Sequence, residues 1–402
     1  MSHSLSPEEL KFYDRQIQLA QCGYKGQVRL KSSTVAVIGA GGLGCAALTA
    51  LALTGVGHLI IFDFDHVNIS NLHRQSLYRH HDIGQGKVKV AQSRLLELNP
   101  WIKITIIERA LRRYADLELL QEADLIVDCT DRFSARANIA ALCKDLQIPH
   151  AYASVSGTDG QVALFYPQGA CFRCVFKHLP TGGVIQSCDQ AGVIGVSPQM
   201  IGAMQAQIAV DYLLSDRPKS IKKSSLNLIT TQSFKSYEMT IQQAKTCPLC
   251  SALAETKVES KVAAEPFPIP ISVEEVQKRF GKTNRSEKQW QPIILDVRTQ
   301  EERILGSIEG SIHYEATSLI ECLEQADLTT LQEANRESYE LLTQGDILVY
   351  CARGPRAEKV ARALHIARQK LIAKNELTHT LRAQNEIYEL VGGYSRWSEQ
   401  AK

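Results

Sequence analysis

Two rhythms of apolar and polar positions take turns along the chain. "TVAVIG" is a β-branched block of strand length, and "LGCAALTALALTG" after it is an alanine- and leucine-rich run that predicts a helix. "HLIIFD" predicts a second strand, "KVKVAQSRLLELN" a helix from about Lys87, and "IKITIIE" a third strand. "ADLIVDCTD" reads as a fourth strand, "SARANIAALCKDL" as a helix and "IPHAYASVSG" as a fifth strand. Residues before about 33 read as an amphipathic helical leader. Strands that alternate with helices predict an α/β fold with a mostly parallel sheet, and ligands of such sheets sit at the C-terminal ends of the strands.

The pattern fades near Cys250. "SALAETKVESKVAAEPFPIPI", with Pro266, Pro268 and Pro270, reads as a linker. A second α/β unit begins near residue 271. Its "PIILDVR" and "DILVYC" are buried strands and "RAEKVARALHIARQKL" is an amphipathic helix. The expected organisation is therefore a first domain over 1–250, a linker over 251–270 and a smaller domain over 271–402. Residues 321–345 are longer and more polar than the second domain needs.

A chain of 402 residues has room for two or three domains. Its net charge of +2 gives no case for nucleic acid or a membrane surface as partner. Residues 32–57 carry no charge and are long enough to span a bilayer. Gly39, Gly41, Gly42 and Gly44 interrupt that stretch, so strand, turn and helix is the better reading. The N-terminal sequence lacks a signal peptide's basic-then-apolar layout, and a cytoplasmic location is expected. The 11 cysteines then read as metal ligands, catalytic thiols or core residues rather than disulfides.

Gly39, Gly41 and Gly44 form a G-x-G-x-x-G turn, and Asp63 follows about twenty residues on. Glycines let backbone approach a phosphate and a helix N-terminus adds positive charge, which serves NAD, FAD and ATP alike. The next residues decide between them. "FDHVNISNLHRQ" brings Asp65, Asn68, Asn71, Arg74 and Gln75, "GQGK" brings Lys87, and "DCTDR" brings Asp128 and Asp131. An NAD site needs an acid for the ribose and little else that is charged. Arg74, Lys87 and Asp131 around one crevice suit a triphosphate, with bases on phosphate oxygens and a carboxylate for Mg²⁺.

The ordered set "IGAGGLGCAALTALALTGVG", "DFDHVNISNLHRQ", "GQGKV" and "DCTD" resembles the adenylyltransferase core of the MoeB/ThiF family, relatives of the ubiquitin-activating enzymes. The resemblance covers roughly residues 8 to 250. It implies a Rossmann-like fold that adenylates the C-terminal glycine of a small ubiquitin-fold carrier with Mg·ATP. It places Gly42 against the phosphates and Asp63 on the ribose. Asn71, Arg74 and Lys87 fall on the phosphates and Asp131 on Mg²⁺, and Ser70 and Arg132 complete the nucleotide-binding set. Arg15, in "YDRQI", resembles an arginine that reaches into a partner subunit's active site, which implies a homodimer. Position 132 departs from the family, which commonly has Asn there; Arg132 either replaces that contact with a charged one or points away.

"CFRC" and "CPLC" supply Cys171, Cys174, Cys247 and Cys250, the four thiolates of a structural zinc site. The family resemblance places zinc at the same positions. Cys188, in "SCDQAGVIGV", aligns with a cysteine that related enzymes use as a nucleophile; the alternative is a loop thiol with no essential role. Cys22, Cys45, Cys129, Cys143 and Cys322 read as structural.

In "VYCARGPRAEKVARAL" a buried strand ends at Cys351, a short loop with Gly354 and Arg356 follows, and then a helix. Loop N–H groups and a helix N-terminus aimed at the sulfur stabilise a thiolate and equally an anionic persulfide. Residues 271–402 resemble a rhodanese domain through Asp296, Arg298, Gly306 and Gly310 of "LDVRTQEERILGSIEGSI", through "CARGPRA" and through "GGYSRW". The short Cys351–Arg356 loop fits sulfur better than the larger oxyanions of longer-loop phosphatase relatives.

Together the halves imply a thiocarboxylate as product. Cys351 carries the persulfide, and a cysteine desulfurase or thiosulfate supplies its sulfur. Molybdopterin synthesis is the preferred pathway, with thiamine synthesis or tRNA thiolation as alternatives. A conjugating ligase without sulfur chemistry, a non-catalytic scaffold and an NAD oxidoreductase are the competing classes. The first leaves the second domain idle, the second would be expected to lack Lys87, Asp131 or Cys351, and the third lacks a hydride-transfer pocket.

Overall fold

The computed structural model describes residues 4–112, 116–177, 192–215, 224–251, 268–281, 290–325, 345–352, 354–373 and 386–400. The chain divides near residue 261 into two compact units. Most of the expected linker, the polar stretch after Gln325 and Cys188 lie outside the described residues.

The first unit opens with three short helices, Pro7–Phe12, Asp14–Ile17 and Gly23–Lys31, where a leader was expected. Eight strands follow in one sheet: β1 (Thr34–Ile38), β2 (His58–Phe62), β3 (Lys103–Ile107), β4 (Leu125–Asp128), β5 (His150–Ser156), β6 (Asp159–Phe165), β7 (Ser224–Thr230) and β8 (Lys235–Ile241). Their order is β3-β2-β1-β4-β5-β6-β7-β8. The pairs from β3 to β5 are parallel, while β6, β7 and β8 add an antiparallel extension. The order reverses direction at β1, between β2 and β4, so the crevice for a ligand opens at the C-terminal ends of β1 and β4.

The charge-free stretch becomes β1 and the helix Gly42–Thr54, as its glycines require. This helix is apolar because it is covered on several sides. Leu48, Leu51 and Ala52 are fully buried, and it packs on the long helix Val196–Leu214. Burial of each such leucine stabilises the unit by about 1.5–3 kcal/mol. No described helix is long and apolar enough to cross a membrane.

Two glycines set the turn between β1 and this helix. Gly39 has φ of 101°, and a Cβ there would stand 2.8 Å from the Cys129 carbonyl oxygen. A Cβ on Gly44 would stand 2.1 Å from the Gly39 carbonyl oxygen. Gly44→Ala is expected to cost about 3 kcal/mol, at the top of the range for overpacking. The readout is the melting temperature of the purified chain, and an unchanged value would mean that the turn relaxes freely.

Among its described residues the second unit has five parallel strands, β9 (Ile269–Ile271), β10 (Ile293–Asp296), β11 (Ile312–His313), β12 (Ile347–Tyr350) and β13 (Ile387–Leu390), in the order β11-β10-β12-β13-β9. The helix Pro355–Ala373 starts right after the β12 loop and buries Ala357, Val360, Ala361 and Leu364 against the sheet. This is the small α/β unit that the two buried strands and the amphipathic helix predict.

Candidate functional site

The glycine turn, the loop after β2 and the loop after β4 meet at the reversal point of the first sheet. Asp63 closes the turn itself: Oδ2 accepts the Ala40 N–H at 2.7 Å and Oδ1 accepts the Asp65 N–H at 2.7 Å. Burial raises its carboxyl above the usual range, and the Lys87 ammonium opposes that rise. Lys87 is 4% exposed at the start of the helix Lys87–Leu98, with Nζ 3.0 Å from Asp65 Oδ2. Burial would discharge it, but Asp65 and Asp63 outweigh that and raise its pKa. A lysine held charged in a buried crevice is a ready counter-charge for phosphate.

The segment Asn68–Gln75 is a compact knot. Asn68 Oδ1 accepts from Ser70 N–H and Oγ–H at 2.9 Å each, and Asn71 Oδ1 accepts the Asn68 N–H at 3.1 Å. Arg74 donates to the Ser70 carbonyl at 2.8 Å and has its Cγ 3.7 Å from where a Cβ on Gly42 would be. Gln75 is buried and its amide nitrogen lies 3.7 Å from where a Cβ on Gly41 would be, so this amide lines the same turn.

Asp131 is exposed in the loop after β4, beside the half-buried Arg132. That loop is held from below. Asp128 Oδ1 accepts from Thr130 N–H and Oγ1–H at 3.0 and 2.7 Å. Asp128 Oδ2 lies 2.9 Å from His150 Nε2. Buried Arg136 donates to the Thr130 carbonyl at 3.2 and 2.8 Å and lies over the Phe133 and Tyr152 rings. Gln205 donates to the Asp128 and Ala151 carbonyls, tying β4 to β5. Arg15 stands 91% exposed on its short helix, away from the core.

Cys171, Cys174, Cys247 and Cys250 come together after β6 and after β8, with all four sulfurs within 4.8 Å of one another. Cys171 Sγ lies 3.9, 3.6 and 3.5 Å from the sulfurs of Cys174, Cys247 and Cys250. A tetrahedral zinc with bonds of about 2.3 Å needs sulfur separations of about 3.8 Å. Backbone N–H groups of Ala244 and Leu249 donate to Cys174 and Cys247 at 3.4 and 3.5 Å, which favours thiolates. Contact with Cys174 pushes Cys171 up and contact with Cys171 pulls Cys174 down. Four buried sulfurs this close repel as anions, so the donor set fits a dication. Cys22, Cys45, Cys129 and Cys143 are buried free thiols and Cys322 is half-buried. Burial pushes Cys45 up to about 12, as suits a core residue.

In the second unit Cys351 follows β12 and is 1% exposed. Gly354, with φ of 117°, turns its N–H onto the sulfur at 3.0 Å. The Tyr394 N–H donates to the Cys351 carbonyl at 2.7 Å, and a Cβ on Gly393 would stand 2.1 Å from that oxygen. This close packing requires Gly393, while Gly392 takes a left-handed φ of 78°. Arg298 makes hydrogen bonds of 2.9 and 2.7 Å to Asp296, donates to the Gly306 carbonyl at 2.6 Å and lies 4.1 Å over the Tyr394 ring. Asp296, Arg298 and Gly306 therefore form one network against the ring of Tyr394, the residue whose N–H holds the Cys351 carbonyl. Arg356 forms a bidentate pair with Glu302 at 2.7 and 2.6 Å, a partner the loop sequence does not reveal.

The first unit is thus a nucleotide-binding α/β enzyme core with a four-cysteine cluster compatible with zinc, and the second presents a single thiol to the Gly354 N–H. Residues 13–251 match the ThiF family and residues 272–400 match the rhodanese-like domain, so the chain belongs to the ThiF family and carries a rhodanese-like domain. It is an enzyme, an adenylyltransferase and sulfurtransferase, and its family implies ATP as substrate. It is 38% identical to the sulfur carrier protein adenylyltransferase of Thermus thermophilus over 60% of this chain and 91% of that one. It is 30% identical to adenylyltransferase and sulfurtransferase MOCS3-1 of Drosophila pseudoobscura over 98% of this chain and 84% of that one. It is 33% identical to the probable molybdopterin-synthase adenylyltransferase of Porphyra purpurea over 74% of this chain and 76% of that one.

Lys87→Met is expected to cut carrier-dependent ATP–pyrophosphate exchange at least about 100-fold, the scale of losing one preorganised charge. An unchanged rate in the folded variant would remove Lys87 from the site.

Proposed function

We propose that the chain adenylates the C-terminal glycine of a ubiquitin-fold sulfur carrier ending in Gly-Gly and converts it to a thiocarboxylate. The carrier carboxylate attacks the α-phosphorus of ATP and pyrophosphate leaves. Arg74, Asn71 and Lys87 bind and orient the phosphates, while Asp63 and the turn of Gly39, Gly41, Gly42 and Gly44 seat the ribose and phosphate backbone. Asp131 would hold Mg²⁺, which neutralises charge on phosphate oxygens when bound. Arg15 would reach into the site of a second copy, making a homodimer the working unit.

The terminal sulfur of a Cys351 persulfide then attacks the acyl carbon, and AMP leaves with the electron pair. The product is an acyl disulfide on Cys351. A thiol, which we assign to Cys188, attacks the Cys351 sulfur, breaks the S–S bond and frees the thiocarboxylate. A small dithiol reductant restores both cysteines. A cysteine desulfurase or thiosulfate recharges Cys351. The zinc held by Cys171, Cys174, Cys247 and Cys250 has a structural role, because four protein thiolates leave no open position. Reduced thiols at both centres suit a cytoplasmic setting.

The observation that carries this reading is the Gly354 N–H aimed at the Cys351 sulfur in a chain whose other unit is a ThiF-family adenylyltransferase. The name of the Porphyra purpurea relative favours molybdopterin synthesis over thiamine synthesis or tRNA thiolation. The test is intact-mass spectrometry of candidate carriers incubated with the full chain, Mg·ATP and a sulfur donor. A gain equal to one oxygen replaced by sulfur is expected on one of them. Carrier attached to lysines, with no such gain, would establish the conjugating ligase instead.

A further inference from the structure

Among the described residues, the guanidinium groups of Arg356 and Arg298 at the Cys351 loop are each paired with a carboxylate. Arg356 sits in that loop, and Glu302 first, with the Cys351 sulfur after it, holds the guanidinium charged above its ordinary range. Yet Nη1 and Nη2, the two nitrogens that would grip a sulfonate as a fork, are both spent on Glu302, at 2.7 and 2.6 Å. This pair is about one third exposed on either side, so it borders the approach rather than filling the core. Arg298, the other described guanidinium nearby, is turned inward onto Asp296, the Glu302 carbonyl and the Gly306 carbonyl. A second carboxylate, Glu389, is buried at the end of β13, with Oε1 3.4 Å from where a Cβ on Gly354 would be. Arg353 lies outside the described residues.

Thiosulfate brings two negative charges to such a loop, whereas a persulfide sulfur brings one or none. Pairing Arg356 with Glu302 removes one favourable charge from the path of a dianion and costs a persulfide sulfur far less. We propose that Glu302 is a specificity-determining residue that, by occupying Arg356, turns the Cys351 loop away from thiosulfate and toward a persulfide sulfur donor. This rests on the reading of Cys351 as the sulfur carrier. With thiosulfate, the Cys351 thiolate attacks the outer sulfur, the S–S bond breaks and sulfite leaves with the electron pair. With a persulfide donor the same attack releases a thiolate instead. Both routes give the same Cys351 persulfide, so Glu302 chooses the donor without altering the product.

Glu302 is also the third residue of the helix Gln300–Ile304, where its carboxylate accepts the Thr299 N–H at 2.9 Å in a capping box. Gln serves that box as well as Glu, so Glu302→Gln removes the charge and keeps the cap. The test is steady-state formation of thiocyanate from cyanide by the full chain, with thiosulfate or cysteine persulfide as donor. Glu302→Gln is expected to lower the KM for thiosulfate about two- to fivefold, the scale of one partly exposed charge, with kcat nearly unchanged. The KM for cysteine persulfide should stay put, and the Glu302→Gln gain should vanish in an Arg356→Gln background. A thiosulfate KM that is unchanged or raised, or the same gain without Arg356, would overturn the assignment. Thiocyanate absent from every variant with either donor would sink the reading of Cys351 as sulfur carrier, and the role of Glu302 with it.

Discussion

Full-length protein with Cys351→Ala is expected to form the carrier adenylate at the wild-type rate and to yield no thiocarboxylate at all. The substitution removes the sulfur that receives the Gly354 N–H, while Cys351 lies in a different unit from the glycine turn, Lys87 and Asp131. Alanine is smaller than cysteine at a position only 1% exposed, and the carbonyl contact to the Tyr394 N–H does not depend on the side chain. The unit should therefore stay folded. Intact mass reports the missing sulfur, and pyrophosphate release reports adenylation. A full sulfur gain in this variant would falsify the role of Cys351, and loss of both activities together would point to a folding defect.

The second large effect is expected at the thiolate cluster. Cys171 and Cys247 stand 76 positions apart in the chain, so a metal here closes a long loop that includes β7 and β8. Structural zinc contributes apparent binding free energies of about 10–16 kcal/mol in small zinc domains. Even about 4 kcal/mol of it, lost from a unit of this size, lowers a melting temperature by roughly 8–16 °C. Cys250→Ser, or wild type stripped with a strong chelator, should melt lower by that amount. The purified protein should carry one zinc per chain by elemental analysis. A zinc-free preparation with unchanged melting would show that sulfur packing alone holds the cluster.

The parts legible in the sequence are those carried by local pattern. β1, β2, the glycine turn and the helix that starts at Lys87 follow from short stretches whose burial has one period. The two C-x-x-C knuckles pointed to the four-cysteine cluster, because each pair is fixed locally and only their meeting is a tertiary event. β8 was not legible: nearly every residue of "KSYEMTI" is exposed, so the alternation that marks a half-buried strand is missing. Nor does spacing reveal that Asp65 holds Lys87, that Arg136 braces the Asp131 loop or that Glu302 clasps Arg356. The last contact joins residues 54 positions apart through a fold the pattern does not specify. Asp63 shows the limit in another way. Its place after β2 was readable, but not that both its oxygens shape the turn through backbone N–H groups.

The seat of Cys351 bears on how sulfur is collected. Its carbonyl is pinned to the Tyr394 N–H and pressed against Gly393, so the residue has no swing of its own. A persulfide there extends the side chain by one atom, from a site that is almost closed to water. Whatever collects that atom must reach a buried sulfur. Depth then sets the first demand on acceptors: a carrier with a slender terminus, such as the proposed Gly-Gly tail, is expected to collect the sulfur faster than one with a bulky terminus.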